Sequence, residues 1–520
     1  MIEILPEYYL TANFYKPDAR GAVPGILFLC GHSHNGKAYD MYAAFCAEAV
    51  LNGFCVLTFD PPGQGERFYR DNSGPDDYHC HVGHQMFALG QPLSTYMLYE
   101  CIRALDYLTS RPEADVNKLA VAGQSGGGQT SAFLGAFDGR LAAIAPSCYI
   151  TELSELARGI GIQEIEQTPL GFLSAGLGLS DLIIAAAPRP YMVSGGLFDY
   201  FPVEGLRGAV LEAKRVYNLL GGRLETYISG KTHGFWTENR RAALEFFCDV
   251  FFKTPPRFPE TGVEIPAEAD LYCAGGDVRG VSGVTPLAIA RQKAAENKRP
   301  IRGEAALDAA AGLLQLEKIT ECQYDDLGDG EYKLYPEPGM AIHATLIGIP
   351  GDVTVFAGTP DSLPVGLDGA ALCVEARGTG RAALPRGCFH TDGDDKYCNR
   401  ESAVNWNAML HGRSMLGMRA LDIACGVALA RALTGGKVTL AASGESALPA
   451  LFSCLASQPD KLALNGLLKN YGEVTGRDEY DEKISALAFG LGVDYDIPDI
   501  ITALRGRGIR IKIEYKVNDD

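Results

Sequence analysis

Apolar runs too continuous to be one-sided alternate with helix-length segments through the first half of this chain. That alternation limits the fold more than any other feature. Ile26-Leu-Phe-Leu-Cys30, Phe54–Phe59, Lys118–Ala122, Tyr191–Val193 and Leu224–Ile228 read as strands. Tyr42–Leu51, Ser94–Leu108 and a stretch from about Gln129 carry helical spacing. A strand that is apolar at every position has both faces covered, and strands joined through helices run parallel. The expected class is α/β, a mostly parallel sheet with helices on both faces.

The pattern ends at Thr254-Pro-Pro-Arg-Phe-Pro-Glu-Thr261, where each proline holds the residue before it extended. The expected organisation is a first domain over 1–254, a Pro-rich linker over 255–265 and a second domain over 266–520. The second half echoes the first. Ala370–Gly380 parallels Phe54–Gly65, His411–Asp422 parallels the region from Leu89, Val438–Ser446 parallels Leu119–Ser125, and Asp496–Leu504 parallels Asp181–Ala187. Gly90 lies 35 residues before Ser125 and Gly412 lies 34 before Ser446. Agreement in both order and spacing predicts two domains of one fold in tandem.

A net charge of −18 disfavours nucleic acid, whose binding needs basic patches. No apolar run approaches the roughly 20 residues of a membrane span. The opening MIEILPEYYL has no basic region, apolar core or cleavage site, and the 14 cysteines are scattered without a CxxC pair. Cys30, Cys55 and Cys373 fall in apolar runs, so buried reduced thiols and a cytoplasmic location are expected. Nothing in the pattern specifies an oligomeric state.

The chemistry centres on Gly123-Gln-Ser-Gly-Gly-Gly128, directly after a strand and before a helix. In such a turn small residues let strand and helix approach closely, and the serine is lifted above the sheet edge as a nucleophile. The plainer alternative is a Gly-rich loop opening a helix, suited to phosphate. A serine hydroxyl needs a base. Of the nine histidines only His233 follows Ser125 within the first half, in Ser229-Gly-Lys-Thr-His-Gly234. The acid that orients it should follow a strand between them, which selects Asp199 in Gly195-Gly-Leu-Phe-Asp199, with Glu204 as competitor. Asp181 precedes its strand and reads as a helix-start residue. An oxyanion hole needs two main-chain N–H groups, expected from Gly126 and from His32, with Ser33 as the alternative. His79, His81 and His84, with His32 and His34, could bind zinc, but their spacing fits no common metal motif. A polar rim at the substrate mouth is the preferred reading, with no metal and no cofactor. His81, His84, Phe198, Tyr200 and Trp236 are candidate substrate contacts, and the aromatics, Phe235 included, could equally be core. In the second half, Leu448 replaces the last glycine of the motif at Ser446, and no histidine follows His411. That domain is expected to be catalytically inactive.

In combination, Gly31-His-Ser-His-Asn-Gly-Lys37, Asp60-Pro-Pro-Gly-Gln-Gly-Glu-Arg67, Arg103–Pro112, Gly123–Gly128 and Ala187-Pro-Arg-Pro190 resemble the acetyl xylan esterase-like α/β-hydrolases over roughly residues 20–250. Cys30-Gly31 departs from the His-Gly that many relatives carry there. The resemblance implies an α/β-hydrolase fold, followed here by a degenerate second copy. It also implies removal of short acyl groups, usually acetyl, from carbohydrates, with nucleophile, acid and base on Ser125, Asp199 and His233. The expected partner is a small-molecule or oligosaccharide ester, with no nucleic acid and no membrane. The competing readings are a serine peptidase on the same fold and a non-enzymatic binding protein.

Overall fold

The computed structural model describes all residues except 69–74, 160, 163, 261, 279–283, 350, 365–368, 384–396 and 517–520. Thr261 of the Pro-rich stretch and His390 lie outside the described residues. The chain divides into two compact units, Met1–Gly83 with Leu93–Ile289 and His84–Pro92 with Ala290–Asp520. The Pro-rich stretch and the residues after it, up to Ile289, group with the first unit.

In the first unit β1 (Ile2–Leu5) and β2 (Tyr8–Leu10) pair antiparallel. The main sheet is built from β3 (Ala12–Tyr15), β4 (Val23–Leu29), β5 (Cys55–Phe59), β6 (Ala114–Gln124), β7 (Leu141–Ser147), β8 (Tyr191–Phe198) and β9 (Leu224–Thr232). The helices are α1 (Asp40–Leu51), α2 (Pro75–Ala88, whose residues from His84 group with the second unit), α3 (Leu93–Thr109), α4 (Gly126–Phe137), α5 (Leu153–Arg158), α6 (Leu179–Ala186), α7 (Val203–Leu220) and α8 (Thr237–Phe251). The strand order is β3-β5-β4-β6-β7-β8-β9, with β3 antiparallel and the rest parallel. The order reverses at β4, which lies between β5 and β6. In an open α/β sheet such a switch point opens a crevice beyond the strands' C-terminal ends.

Continuous burial of β5, apolar but for one threonine, shows a strand covered on both faces. Helices α1 and α8 cover one face, while α3, α4 and α7 pack on the other. On α8, Ala243, Leu244, Phe247 and Cys248 repeat at three- and four-residue steps and meet Phe28, Phe45, Phe54 and Phe235 in one buried cluster. Each such phenylalanine contributes roughly 1.5–3 kcal/mol by leaving water.

Two motifs of the first unit turn out to be framework. Lys37 Nζ lies 2.7 Å from Asp60 Oδ2 and 2.6 Å from Glu66 Oε2, all fully buried. Arg67 donates to both carboxylate oxygens of Glu100 at 2.9 Å and to the Asp60 carbonyl at 2.9 Å. Glu66 also accepts main-chain N–H bonds from Cys273, Ala274 and Gly276, which ties residues 273–276 to the loop after β5. Burial alone would raise the Glu66 pKa, but the Lys37 ammonium and the Cys273 and Ala274 N–H groups hold it at about 2. A depressed carboxyl pKa contributes stability fully above the unfolded value and loses it as pH falls through the folded one. Wild-type protein should therefore lose stability from about pH 4.5 down to about pH 2 through this group. Glu66→Gln should show a shallower fall of Tm across that window. Equal slopes for the two proteins in thermal melts at stepped pH would refute this.

The second unit has an eight-stranded sheet. Its strands are β10 (Gln323–Gly328), β11 (Glu331–Glu337), β12 (Met340–Ile347), β13 (Val353–Ala357), β14 (Ala370–Glu375), β15 (Val438–Ser443), β16 (Lys461–Leu467) and β17 (Arg510–Tyr515). The order β12-β14-β13-β15-β16-β17, with β12 antiparallel to β14, repeats β3-β5-β4-β6-β7-β8. The helix Met415–Thr434 precedes β15 as α3 precedes β6. The helix Ile497–Gly506 precedes β17 as α6 precedes β8, and each carries an aspartate in its first turn that accepts the cap N–H: Asp499 from Asp496, and Asp181 from Gly178. The repeat expected from sequence is thus a repeat of topology. Among the described residues no strand follows β17 in the place that β9 takes. No described helix is long and apolar enough to cross a membrane.

Candidate active site

Strand β6 ends at Gln124 and α4 starts at Gly126, so a single residue, Ser125, makes the turn between them. It has φ 57° and ψ −120°, in the left-handed region that costs a non-glycine residue about 1–3 kcal/mol. Its N–H donates to the Ser147 carbonyl at 2.9 Å, and its carbonyl accepts the Gln129 N–H at 2.8 Å. The flanking glycines are required by close approach. A Cβ on Gly127 would stand 1.9 Å from the Leu29 carbonyl oxygen, and one on Gly123 would stand 2.2 Å from the Gly127 oxygen.

Asp199 and His233, the expected acid and base, are brought together by sheet register. Strands β8 and β9 are parallel, and Phe198 pairs with Thr232. The next residue on each strand is Asp199 and His233, so they emerge side by side. His233 Nδ1–H donates to Asp199 Oδ1 at 2.8 Å, and that oxygen also accepts the Phe201 N–H at 3.0 Å. Glu204, the competing acid, sits on the exposed first turn of α7 and pairs with Arg207 at 2.6 Å. Asp181 lies in the first turn of α6.

With Nδ1 donating to Asp199, Nε2 presents a lone pair. Gln124 Nε2 donates to it at 2.9 Å and the Tyr200 hydroxyl at 3.0 Å. The Gln124 amide is oriented by Tyr42, whose hydroxyl donates to Gln124 Oε1 at 2.8 Å and accepts the Gly31 N–H at 3.1 Å. The Tyr200 ring stacks on His233 at 4.1 Å between centroids. The imidazole is thus held next to the elbow through the residue preceding Ser125, and Ser125 Oγ is not among the partners of its Nε2. Cys148, at the end of β7, is a buried thiol whose pKa burial and Asp199 push up, and it donates to the Gly234 carbonyl at 3.6 Å.

The loop after β4 folds over the elbow. The His32 ring lies 3.1 Å from where a Cβ of Gly126 would stand. Within that loop the Gly31 N–H is taken by Tyr42 and the Ser33 N–H by Gln64 Oε1 at 2.8 Å. Gly65 N–H donates to the His34 carbonyl at 3.0 Å, so the buried Lys37–Asp60–Glu66 framework also holds this loop in place.

Other expected residues are placed differently. His79, His81 and His84 do not form a polar rim but are buried, and His84 groups with the second unit, where burial lowers its pKa to about 3. Phe198 is exposed, Phe235 belongs to the core and Trp236 donates its indole N–H to the Thr232 carbonyl. Sequence reasoning missed Gln124 and Tyr42. Gln124 could have been singled out as the variable position inside the elbow motif. Tyr42 carries no spacing signal. In the second unit Ser446 ends a short turn with φ −82° and ψ −12°, an ordinary helical conformation rather than an elbow. A cavity of about 240 Å³ lined by Gly444, Glu445, Leu448, Lys483 and Lys516, among others, lies there.

No family model matches the chain. YtaP of Bacillus subtilis (strain 168), a protein assigned as a hydrolase, is 26% identical over 226 residues, covering 40% of this chain and 71% of YtaP. Among solved structures, Methylesterase BT1017 is similar with a TM-score of 0.43 and 21% identity, covering 56% of this chain and 65% of its own. A Bacteroides fragilis NCTC 9343 protein assigned as an acetyl xylan esterase is similar with a TM-score of 0.37 and 18% identity, covering 44% of this chain and 64% of its own. By its strand order and its serine elbow the first unit is an α/β-hydrolase-fold domain, and the curated relative it is similar to is assigned as a hydrolase.

Proposed function

We propose that the first unit is a serine esterase that removes short acyl groups, acetyl foremost, from carbohydrates, with Ser125 as nucleophile, His233 as base and Asp199 as the orienting acid. The observation that carries this reading is the β8–β9 register, which sets Asp199 against His233 Nδ1 while the Nε2 face of the ring reaches Gln124 beside the strained Ser125. In the reaction, His233 exchanges its Gln124 and Tyr200 bonds for Ser125 Oγ and takes its proton. The oxygen attacks the ester carbonyl, and the Gly126 and His32 main-chain N–H groups hold the oxyanion. His233 then protonates the leaving alcohol, and water repeats the sequence on the acyl-enzyme. The second unit, whose Ser446 lacks an elbow, is proposed to be non-catalytic.

Ester specificity is tested by assaying p-nitrophenyl acetate and acetylated xylo-oligosaccharides beside an aminoacyl anilide. Turnover of the anilide in preference to the esters would replace this reading with a peptidase. Tyr200 gives a finer test. Its hydroxyl occupies the lone pair that must accept the Ser125 proton, and one hydrogen bond of about 1 kcal/mol corresponds to about fivefold in rate. Tyr200→Phe should raise kcat/KM for p-nitrophenyl acetate by about that factor. A fall of similar size would mean that Tyr200 holds the ring in place instead of competing for it.

A further inference from the structure

Close to the Ser125 elbow, the side chains of His32, His79, Glu164 and Glu166 converge from three parts of the chain. His32 lies in the loop after β4 and His79 on α2. Glu164 and Glu166 flank Ile165 at the turn Ile165–Gln167. One donor atom from each lies within 4.8 Å of all the others. His32 Nε2 is 2.7 Å from His79 Nδ1, 3.1 Å from Glu164 and 3.7 Å from Glu166. His79 Nδ1 is 3.5 Å from Glu164 and 3.9 Å from Glu166. We infer that these four residues form a binding site for one divalent transition-metal ion of the zinc type.

Three observations support this. The first is the donor set and its spacing. Bonds of about 2.0–2.2 Å put tetrahedral donors about 3.3–3.6 Å apart, and Glu164 Oε2 lies near that range from both rings, 3.1 Å from His32 Nε2 and 3.5 Å from His79 Nδ1. Two imidazoles with two carboxylates suit zinc and its first-row neighbours, whereas magnesium and calcium prefer oxygen alone. The second is orientation. His79 Nε2–H donates to the Pro62 carbonyl at 2.8 Å, which turns the Nδ1 lone pair inward, as outer partners do for metal-bound histidines. The third is unmet demand. The Glu166 side chain is 0% exposed, and neither of its oxygens has a hydrogen-bond partner among the described residues. An uncompensated buried carboxylate is costly. Glu164 and Glu166 are two carboxyls facing two imidazoles, and a dication bound between them supplies the missing positive charge. To ligate as a neutral imidazole, His32 carries its single ring proton on Nδ1 and leaves the Nε2 lone pair for the ion. Glu164 and His32 are 10% and 14% exposed, which leaves the ion a route in.

A bound ion would also fix the His32 ring against Gly126, and so the loop that the proposed oxyanion hole uses. That consequence rests on the esterase reading, while the metal site does not.

The test is metal content and zinc affinity of the full chain, by elemental analysis and by competition with a chromophoric chelator. The expected result is one zinc per chain, a higher Tm on zinc addition, and tetrahedral visible bands on cobalt substitution. His79→Ala and the shape-preserving Glu166→Gln should weaken zinc binding at least about 100-fold, with circular dichroism reporting that they still fold. Ser125→Ala should bind zinc as wild type does, which separates this outcome from the esterase reading. Wild type that binds no zinc, cobalt or manganese would overturn the proposal and leave a proton-sharing network. Variants that bind zinc as tightly as wild type would also overturn it.

Discussion

Ser125→Ala should lower ester turnover by about ten-thousandfold to a millionfold while leaving the fold intact. The size follows from the mechanism: without the hydroxyl no acyl-enzyme forms, and only binding and the oxyanion donors remain to assist water. Alanine keeps the Cβ that the elbow already accommodates, so Tm should stay within about 2 °C of wild type. The same substitution should abolish labelling by a fluorophosphonate, which wild type should take up at one equivalent. His233→Ala should match it in rate, because residues that act as a unit lose activity together rather than additively. Ser446→Ala should change neither rate nor labelling. Turnover that survives in Ser125→Ala would put the nucleophile elsewhere, and labelling lost in Ser446→Ala would make the second unit a catalyst.

The second large effect is on stability. Lys37→Met removes the one ammonium between two fully buried carboxylates, Asp60 and Glu66. Breaking a buried ion pair from one side costs about 3–5 kcal/mol, because the remaining charge stays desolvated. Here two charges are stranded, so a fall in Tm of roughly 10 °C is expected. Neutralising the partners as well, in Lys37→Met with Asp60→Asn and Glu66→Gln, should recover part of it, since the expense lies in unpaired charge rather than in the lost attraction. The main-chain N–H of residue 37, which donates to Asp60 Oδ1 at 2.8 Å, is kept in Lys37→Met, so the end of the His32 loop retains that anchor. A loss below about 1 kcal/mol in denaturant titrations would show that water reaches the cluster.

Much of the architecture could be read from local pattern. Ile26–Cys30 is apolar throughout and Phe54–Phe59 apolar but for Thr58 because both sheet faces are covered, and each lies on a strand except for one end residue, Cys30 and Phe54. Strand ends were less legible. The apolar signal stops at Val193 and Ile228, yet β8 runs on to Phe198 and β9 to Thr232. At the C-terminal edge of the sheet the ladder continues through small buried residues, Ser194–Gly196 in β8 and Ser229 in β9, and then through exposed ones, so hydropathy no longer marks the strand. That edge is where Asp199 and His233 stand.

Short-range chemistry was written in the chain itself: alternating strands and helices, glycines on either side of Ser125, a single histidine downstream in the first half, and a second copy with no histidine after its serine. Each depends on residues a few positions apart, or on the presence or absence of a residue type, and needs no coordinates. Tertiary structure alone set Asp199 against His233 Nδ1 and Glu204 against Arg207, placed Gln124 and Tyr200 on His233 Nε2, locked Lys37 between Asp60 and Glu66, and gathered His32, His79, Glu164 and Glu166. Those choices rest on strand register and loop packing between segments far apart in sequence. Side-chain spacing along a chain carries no record of which distant strand it will pair with.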